Sequence, residues 1–175
     1  MRRKRGRESR ALYVDEITSR KAKQFVRRIA ELNELSKRPI TLYIDSEGGE
    51  VIAGFDMYDV VKKSKAPVTG IVRRRVASMA VLVLQACKKR FMHENSHMML
   101  HSISVTRSLD DLLDPARCVA TLRGAIEKQM YIEYILKNRT KLSYSMIRAM
   151  MQRGSKGTTF TAAEAKTAGF IDEVL

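Results

Sequence analysis

Three features of this chain could carry chemistry. Ser78 stands in Val76-Ala77-Ser78-Met79-Ala80, where a strand pattern gives way to an apolar helix pattern. A sharp strand-to-helix turn exposes a serine hydroxyl, and the helix N-terminus adds positive potential, which together describe an activated nucleophile. A serine just before a helix is more often a plain N-cap, so Ser78 alone decides nothing. His101 can act as its general base. The turn Asp45-Ser46-Glu47-Gly48-Gly49 pairs two glycines whose backbone can take unusual angles. By itself it is a tight turn. With Ser78 and His101 it completes what acyl transfer needs: a nucleophile, a base, and backbone N–H groups free for an oxyanion.

A competing motif is His93-Glu94-Asn95-Ser96-His97, which spells H-E-x-x-H. Zinc hydrolysis through that motif requires both histidines on one helical face, with the glutamate as base. Asn95-Ser96 is turn chemistry, and the flanking RFM and MMLH read as strands. His93, His97 and His101 therefore share no face, no third ligand is placed nearby, and no metal or other cofactor is expected.

The elements that must position these groups alternate. Ala11–Val14 reads as a short strand, and Thr18 to about Lys37 as an amphipathic helix through Ala22, Phe25, Val26, Ile29 and Leu32. Pro39 stops it. Ile40–Ile44 is a buried strand, Val51–Ser64 a helix, Val68–Val72 a strand and Ala77–Ala86 a short apolar helix. Strands near Arg90–His93 and His97–Ile103 follow. Such alternation predicts parallel βα units and an α/β class. After Ser108 the pattern is helical, with a long segment from about Asp111 to Asn138, then Ser143–Gln152. Thr161 and Glu164 form a capping box for a last helix ended by Gly169.

Composition bounds the rest. The 175 residues hold 45% apolar residues, 33 Lys+Arg and 19 Asp+Glu, for a formal charge of +14. Periodic apolar segments exclude a collagen-like or disordered chain. The longest apolar run, Val76 to Cys87, is too short to span a bilayer and is interrupted by Ser78 and Gln85. The basic N-terminus has no apolar stretch behind it, so no signal peptide is expected. Cys87 and Cys118 read as two buried free thiols of a reducing, cytoplasmic setting. Residues 1–10 contain six basic residues and Glu8, so a disordered arm supplies +5 of the charge and could touch nucleic acid. No zinc-finger spacing or aromatic–basic interleaving accompanies it, so nucleic acid is not expected as the main partner.

The runs ITLYIDSEGGEVIAGFDMYDVV, VASMA, RFMHENSHMMLH and FTAAEAKTAGFIDEVL together resemble the proteolytic subunit of Clp protease, the ClpP family. The similarity runs from about Arg10 to Leu175, strong to Ile103 and again from Phe160. It implies a ClpP/crotonase-like α/β fold of repeated ββα-type units, with a single domain over 11–175 and a helical handle at about 108–139. It implies serine endopeptidase activity on peptide or unfolded protein, inside stacked rings of identical subunits. An ATP-dependent unfoldase is a candidate partner. Ser78 then matches the nucleophile and His101 the base. Gly49 and Met79 match the residues whose N–H groups form the oxyanion hole. His93, Glu94 and His97 fall on positions without chemistry.

The chain also departs from the family pattern. The position of the triad acid is Gly154 or Gly157, depending on gaps, and no Asp or Glu occurs between Ile135 and Thr161. Gly157→Asp or Gly154→Asp is thus the natural rescue, and the handle acids, Glu133 included, are expected away from the site. Arg74 and Ala80 replace glycines around the serine, and Ser102-Ile103-Ser104 replaces a Pro- and Gly-containing stretch. A weak or inactive subunit of a mixed ring, a phage-type capsid-maturation protease and a basic nucleic-acid-binding protein stay open beside the peptidase.

Overall fold

Every second residue of strand β2 (Ile40–Ser46) is buried: Ile40, Leu42, Ile44 and Ser46. That is the period of a strand whose two faces differ in burial. In this computed structural model, which describes residues 9–106, 110, 113–152 and 157–175, β2 pairs in parallel with β1 (Ala11–Val14) and β3 (Val68–Ala77). The crossovers are α1 (Ser19–Leu35) and α2 (Val51–Lys62). Helix α1 opens where the Thr18 side chain accepts from Lys21 N–H, and it buries Ala22, Phe25, Ile29 and Leu32. Residues 1–8, most of the basic arm, lie outside the described residues, as does Gly154.

The parallel sheet continues through β4 (Lys89–Met92) to the short β7 (Glu173–Val174), in the order β1-β2-β3-β4-β7. β3 serves two neighbours along one edge. Thr69–Val72 pair with β4, and Arg75–Ala77 pair with β5 (His97–Leu100). β5 in turn pairs antiparallel with β6 (Thr158–Thr161). The α/β class expected from the sequence is the one observed.

Several elements differ from the sequence reading, those around Ser78 with the most consequence. β3 runs past Val72 to Ala77, and its register against β2 jumps from Ile44↔Val72 to Ser46↔Val76. The slack is taken up by Arg73-Arg74-Arg75, all exposed, with Arg74 on Asp45 and Arg75 on Glu47. Val76 and Ala77 then return to the core. A charged run that bulges outward looks like a strand end in sequence but is not one. Helix α3 accordingly starts at Met79 (Met79–Ala86), not Ala77. Neither β6 nor β7 is in the sequence reading; the β-branched threonines of β6 pair with β5 just before the capping box.

All eight residues of α3 are buried; seven are apolar, and the eighth, Gln85, donates to Phe170 O at 3.1 Å. Helix α4 (Pro115–Arg139) is the opposite. Asp114 caps its start, and only Ile132, Glu133, Ile135 and Leu136 are buried, so its N-terminal two-thirds stands away from the core as the handle. Helices α5 (Tyr144–Met151) and α6 (Ala162–Ala168) complete the chain. The Thr161–Glu164 capping box is present, and Gly169 takes the left-handed cap at φ 84°. Cys87 is fully buried, and burial pushes its thiol up to about 12, whereas Cys118 is only half-buried. Among the described residues no helix is long and apolar enough to cross a membrane.

Candidate active site

Ser78 is the N-cap of α3, yet its side chain makes no capping hydrogen bond. Its backbone sits at φ 53°, ψ −128°, and it has the only positive φ among the described non-glycine residues. Such a conformation costs about 1–3 kcal/mol and persists only where the surroundings enforce it. They do so here. Ser78 N–H donates to Met99 O at 3.0 Å, and Ser78 O accepts from Val81 N–H at 3.0 Å. The turn therefore holds the hydroxyl clear of the helix end that an ordinary N-cap would bond.

The two glycines are needed because their backbone approaches this turn. A Cβ on Gly48 would lie 2.8 Å from Ser78 Cβ and 2.8 Å from Ala77 O. One on Gly49 would lie 2.1 Å from Ile17 O. Ile17 pins the loop from both sides, donating to Gly48 O and accepting from Glu50 N–H, each at 2.9 Å. Ser46 Oγ accepts from Gly48 N–H at 3.0 Å. Among the described residues Gly49 N–H has no acceptor. Met79 N–H opens α3 and so lacks one within the helix.

His101 follows β5, and β5 pairs directly with the end of β3 that leads into Ser78. Its Nδ1 lies 2.6 Å from Ser102 O. A carbonyl oxygen only accepts, so Nδ1 is the donor here, and in the neutral ring Nε2 is left with the lone pair. Gly49, Ser78, Met79 and His101 line one cavity of about 120 Å³, walled by Leu82, Leu100, Ile132 and Met151. All four predicted site residues thus come together. Ser78 and His101 share the cavity without a hydrogen bond between them.

His93 and Glu94 follow the end of β4, and His97 opens β5, with a turn between them that Ser96 N–H closes on His93 O at 2.9 Å. All three side chains are exposed. This is not the helical face that zinc hydrolysis through H-E-x-x-H requires.

Two positions differ from expectation. Gly157, one of the two places for a triad acid, is at φ 58°, and a Cβ there would lie 2.3 Å from Leu100 O and 2.8 Å from His101 Cβ. It sits beside the histidine but has no room for a side chain. Glu133, expected away from the site, is buried at the inner end of α4, where its neighbour Gln129 bonds the backbone of Ile103. The signal was present in sequence: Glu133 stands among Ile132, Ile135 and Leu136, an acid inside an apolar register.

The fold and this cavity define a protein of the ClpP type, and comparison with known proteins agrees. A profile of the family described as Clp protease matches residues 4–175. The chain is 44% identical over 93 residues to "ATP-dependent Clp protease proteolytic subunit 2" of Treponema pallidum, covering 51% of this chain and 47% of that protein. It is 40% identical over 93 residues to the protein of that description in Treponema denticola, covering 51% and 46%. The match thus spans about half the length of these curated relatives. The solved structure of a ClpP1 point mutant from Listeria monocytogenes superposes with a TM-score of 0.82 at 25% identity, over 95% of this chain and 91% of that one. The chain belongs to the Clp protease family.

Proposed function

We propose that the chain is a serine endopeptidase subunit, with residues 11–175 as one domain that assembles into a ring chamber. The observation that carries this is the Ser78 turn: a strained serine without a side-chain capping bond, sharing a cavity with an imidazole whose Nδ1 is held by a backbone carbonyl. In the proposed reaction Ser78 Oγ attacks the peptide carbonyl carbon while His101 Nε2 takes its proton. The carbonyl oxygen becomes an oxyanion and accepts from Gly49 and Met79 N–H. His101 then gives the proton to the leaving amine, and water repeats the sequence to release the acid. The apolar wall of Leu82, Leu100, Ile132 and Met151 favours an apolar side chain beside the scissile bond. These steps call on no metal or organic cofactor. Turnover of a short peptide ester, lost in Ser78→Ala with assembly unchanged, tests the reading. Full activity of that variant would overturn it.

A second reading, a slow subunit working in a mixed ring, draws on one observation. His101 Nδ1 bonds a backbone carbonyl where a triad has a carboxylate. Losing the triad acid costs about 10⁴-fold in kcat, or about 5 kcal/mol of barrier. Activity that rises to the level of a complete triad only when a second, different subunit is added would favour it.

A further inference from the structure

The acceptor of His101 is one half of a peptide unit whose other half is also held. The amide joining Ser102 to Ile103 accepts a hydrogen bond from His101 Nδ1 on its oxygen at 2.6 Å. On its nitrogen it donates to Gln129 Oε1 at 3.0 Å. Gln129 Nε2 donates onward to Glu133 Oε1 at 3.3 Å and to Met151 Sδ at 3.2 Å. Glu133 is 5% exposed, and its second oxygen accepts from Arg148 Nε at 2.7 Å. Ser102 is fixed separately, its N–H and Oγ both donating to Met151 O at 3.1 Å.

Every link in this chain runs in one direction. The carboxylate can only accept, so Gln129 turns its amide nitrogen towards it and its oxygen towards Ile103. Gln129 oxygen can only accept, so it draws on Ile103 N–H and polarises that peptide, making Ser102 O a better acceptor. The buried carboxylate, itself paired with Arg148, thereby polarises both amides in the direction that strengthens the acceptor of the imidazole. We propose that Gln129 and Glu133 are positioning residues that take the place of the missing triad acid, holding His101 in its Nδ1-protonated form and stabilising the imidazolium. No proton moves along the chain. The inference rests on the serine peptidase reading for its catalytic consequence, but the tautomer it predicts does not.

The test is a solid-state ¹⁵N spectrum of histidine-labelled full-length protein at neutral pH, the His101 signals being those lost in His101→Asn, alongside kcat and KM for a peptide ester. The wild type is expected to show protonated Nδ1 and bare Nε2. Gln129→Met, which keeps length but removes all three side-chain hydrogen bonds, should shift the ring towards the other tautomer. It should also lower kcat by at least tenfold while KM stays within twofold. Glu133→Gln keeps the volume, serves if Gln129→Met fails to fold, and should lower kcat with KM unmoved. Ile135→Val, buried on the same helix but outside the chain of bonds, should lower thermal stability and leave tautomer and kcat alone. An unchanged tautomer and kcat in both polar variants would overturn the proposal, as would equal effects in Ile135→Val. If the wild type turns over no ester, the spectra still decide the positioning claim, and the peptidase reading fails separately.

Discussion

Gly157 packs its backbone against His101: a Cβ on the glycine would lie 2.8 Å from the histidine Cβ and 2.3 Å from Leu100 O. The glycine also sits at φ 58°, a left-handed conformation that side-chain-bearing residues rarely take. Gly157→Asp is therefore predicted to damage the site that it would rescue on sequence grounds. The end of β5 would have to move, at a cost of about 1–3 kcal/mol. Activity should fall together with the melting temperature. Higher kcat in this variant would mean that the β5–β6 end yields easily and that a carboxylate there reaches the imidazole.

The H-E-x-x-H letters give a second test. Exposed His93, Glu94 and His97 across a β-turn have no part in the proposed reaction. Chelation with EDTA should leave ester hydrolysis unchanged, and Glu94→Gln should be close to neutral. Activity lost to EDTA and restored by zinc would contradict the serine mechanism.

On the handle, Val119, Ile126 and Met130 are 58%, 58% and 56% exposed, so their apolar side chains contribute nothing to this subunit's core. Under the ring-chamber proposal they are covered by another copy. Ile126→Glu with Met130→Lys should leave the subunit folded and give smaller particles by light scattering. Particles of unchanged size would remove the handle from the assembly interface.

Arg90 ties the C-terminal elements to the sheet. Its side chain is 8% exposed and bonds Asp172, Gln85 Oε1, Arg139 O and Gly169 O. Burial raises the Asp172 carboxyl, but the hydrogen bonds and charge of Arg90 outweigh this and hold it below its ordinary value. A carboxyl lowered on folding stabilises above its unfolded pKa, near 3.8, and this stability is lost as pH falls through the lower folded value. Asp172→Ala should cost about 2 kcal/mol at neutral pH by urea unfolding, the half-exposed carboxylate being partly screened. Asp172→Asn should flatten the acid limb of the stability profile. An unchanged acid limb would show that other carboxylates dominate it.

The sequence disclosed what local chemistry encodes. Thr18 and the capping box at Thr161 are short-range signals, and the spacing of Phe25, Ile29 and Leu32 names the face that is buried. The Ser78 turn was legible because a strand pattern meets an apolar helix there. What was hidden depends on contacts between distant segments. Arg73–Arg75 look like the end of a strand until the partner β5 is seen to continue the ladder. The role of Gln129 and Glu133 depends on where α4 docks, and helical periodicity says which residues share a face but not what lies opposite. The carbonyl that orients His101 belongs to the backbone, so no side-chain pattern can announce it.

The central claim is that Ser78 is a nucleophile activated by His101. Intact-protein mass spectrometry after exposure to a fluorophosphonate measures this most directly, because it reads one covalent bond on one hydroxyl and needs no natural substrate. The account predicts a single adduct per chain located at Ser78, absent in Ser78→Ala and much slower to form in His101→Ala. No adduct on the assembled wild-type protein, or an adduct that persists in Ser78→Ala, would contradict it.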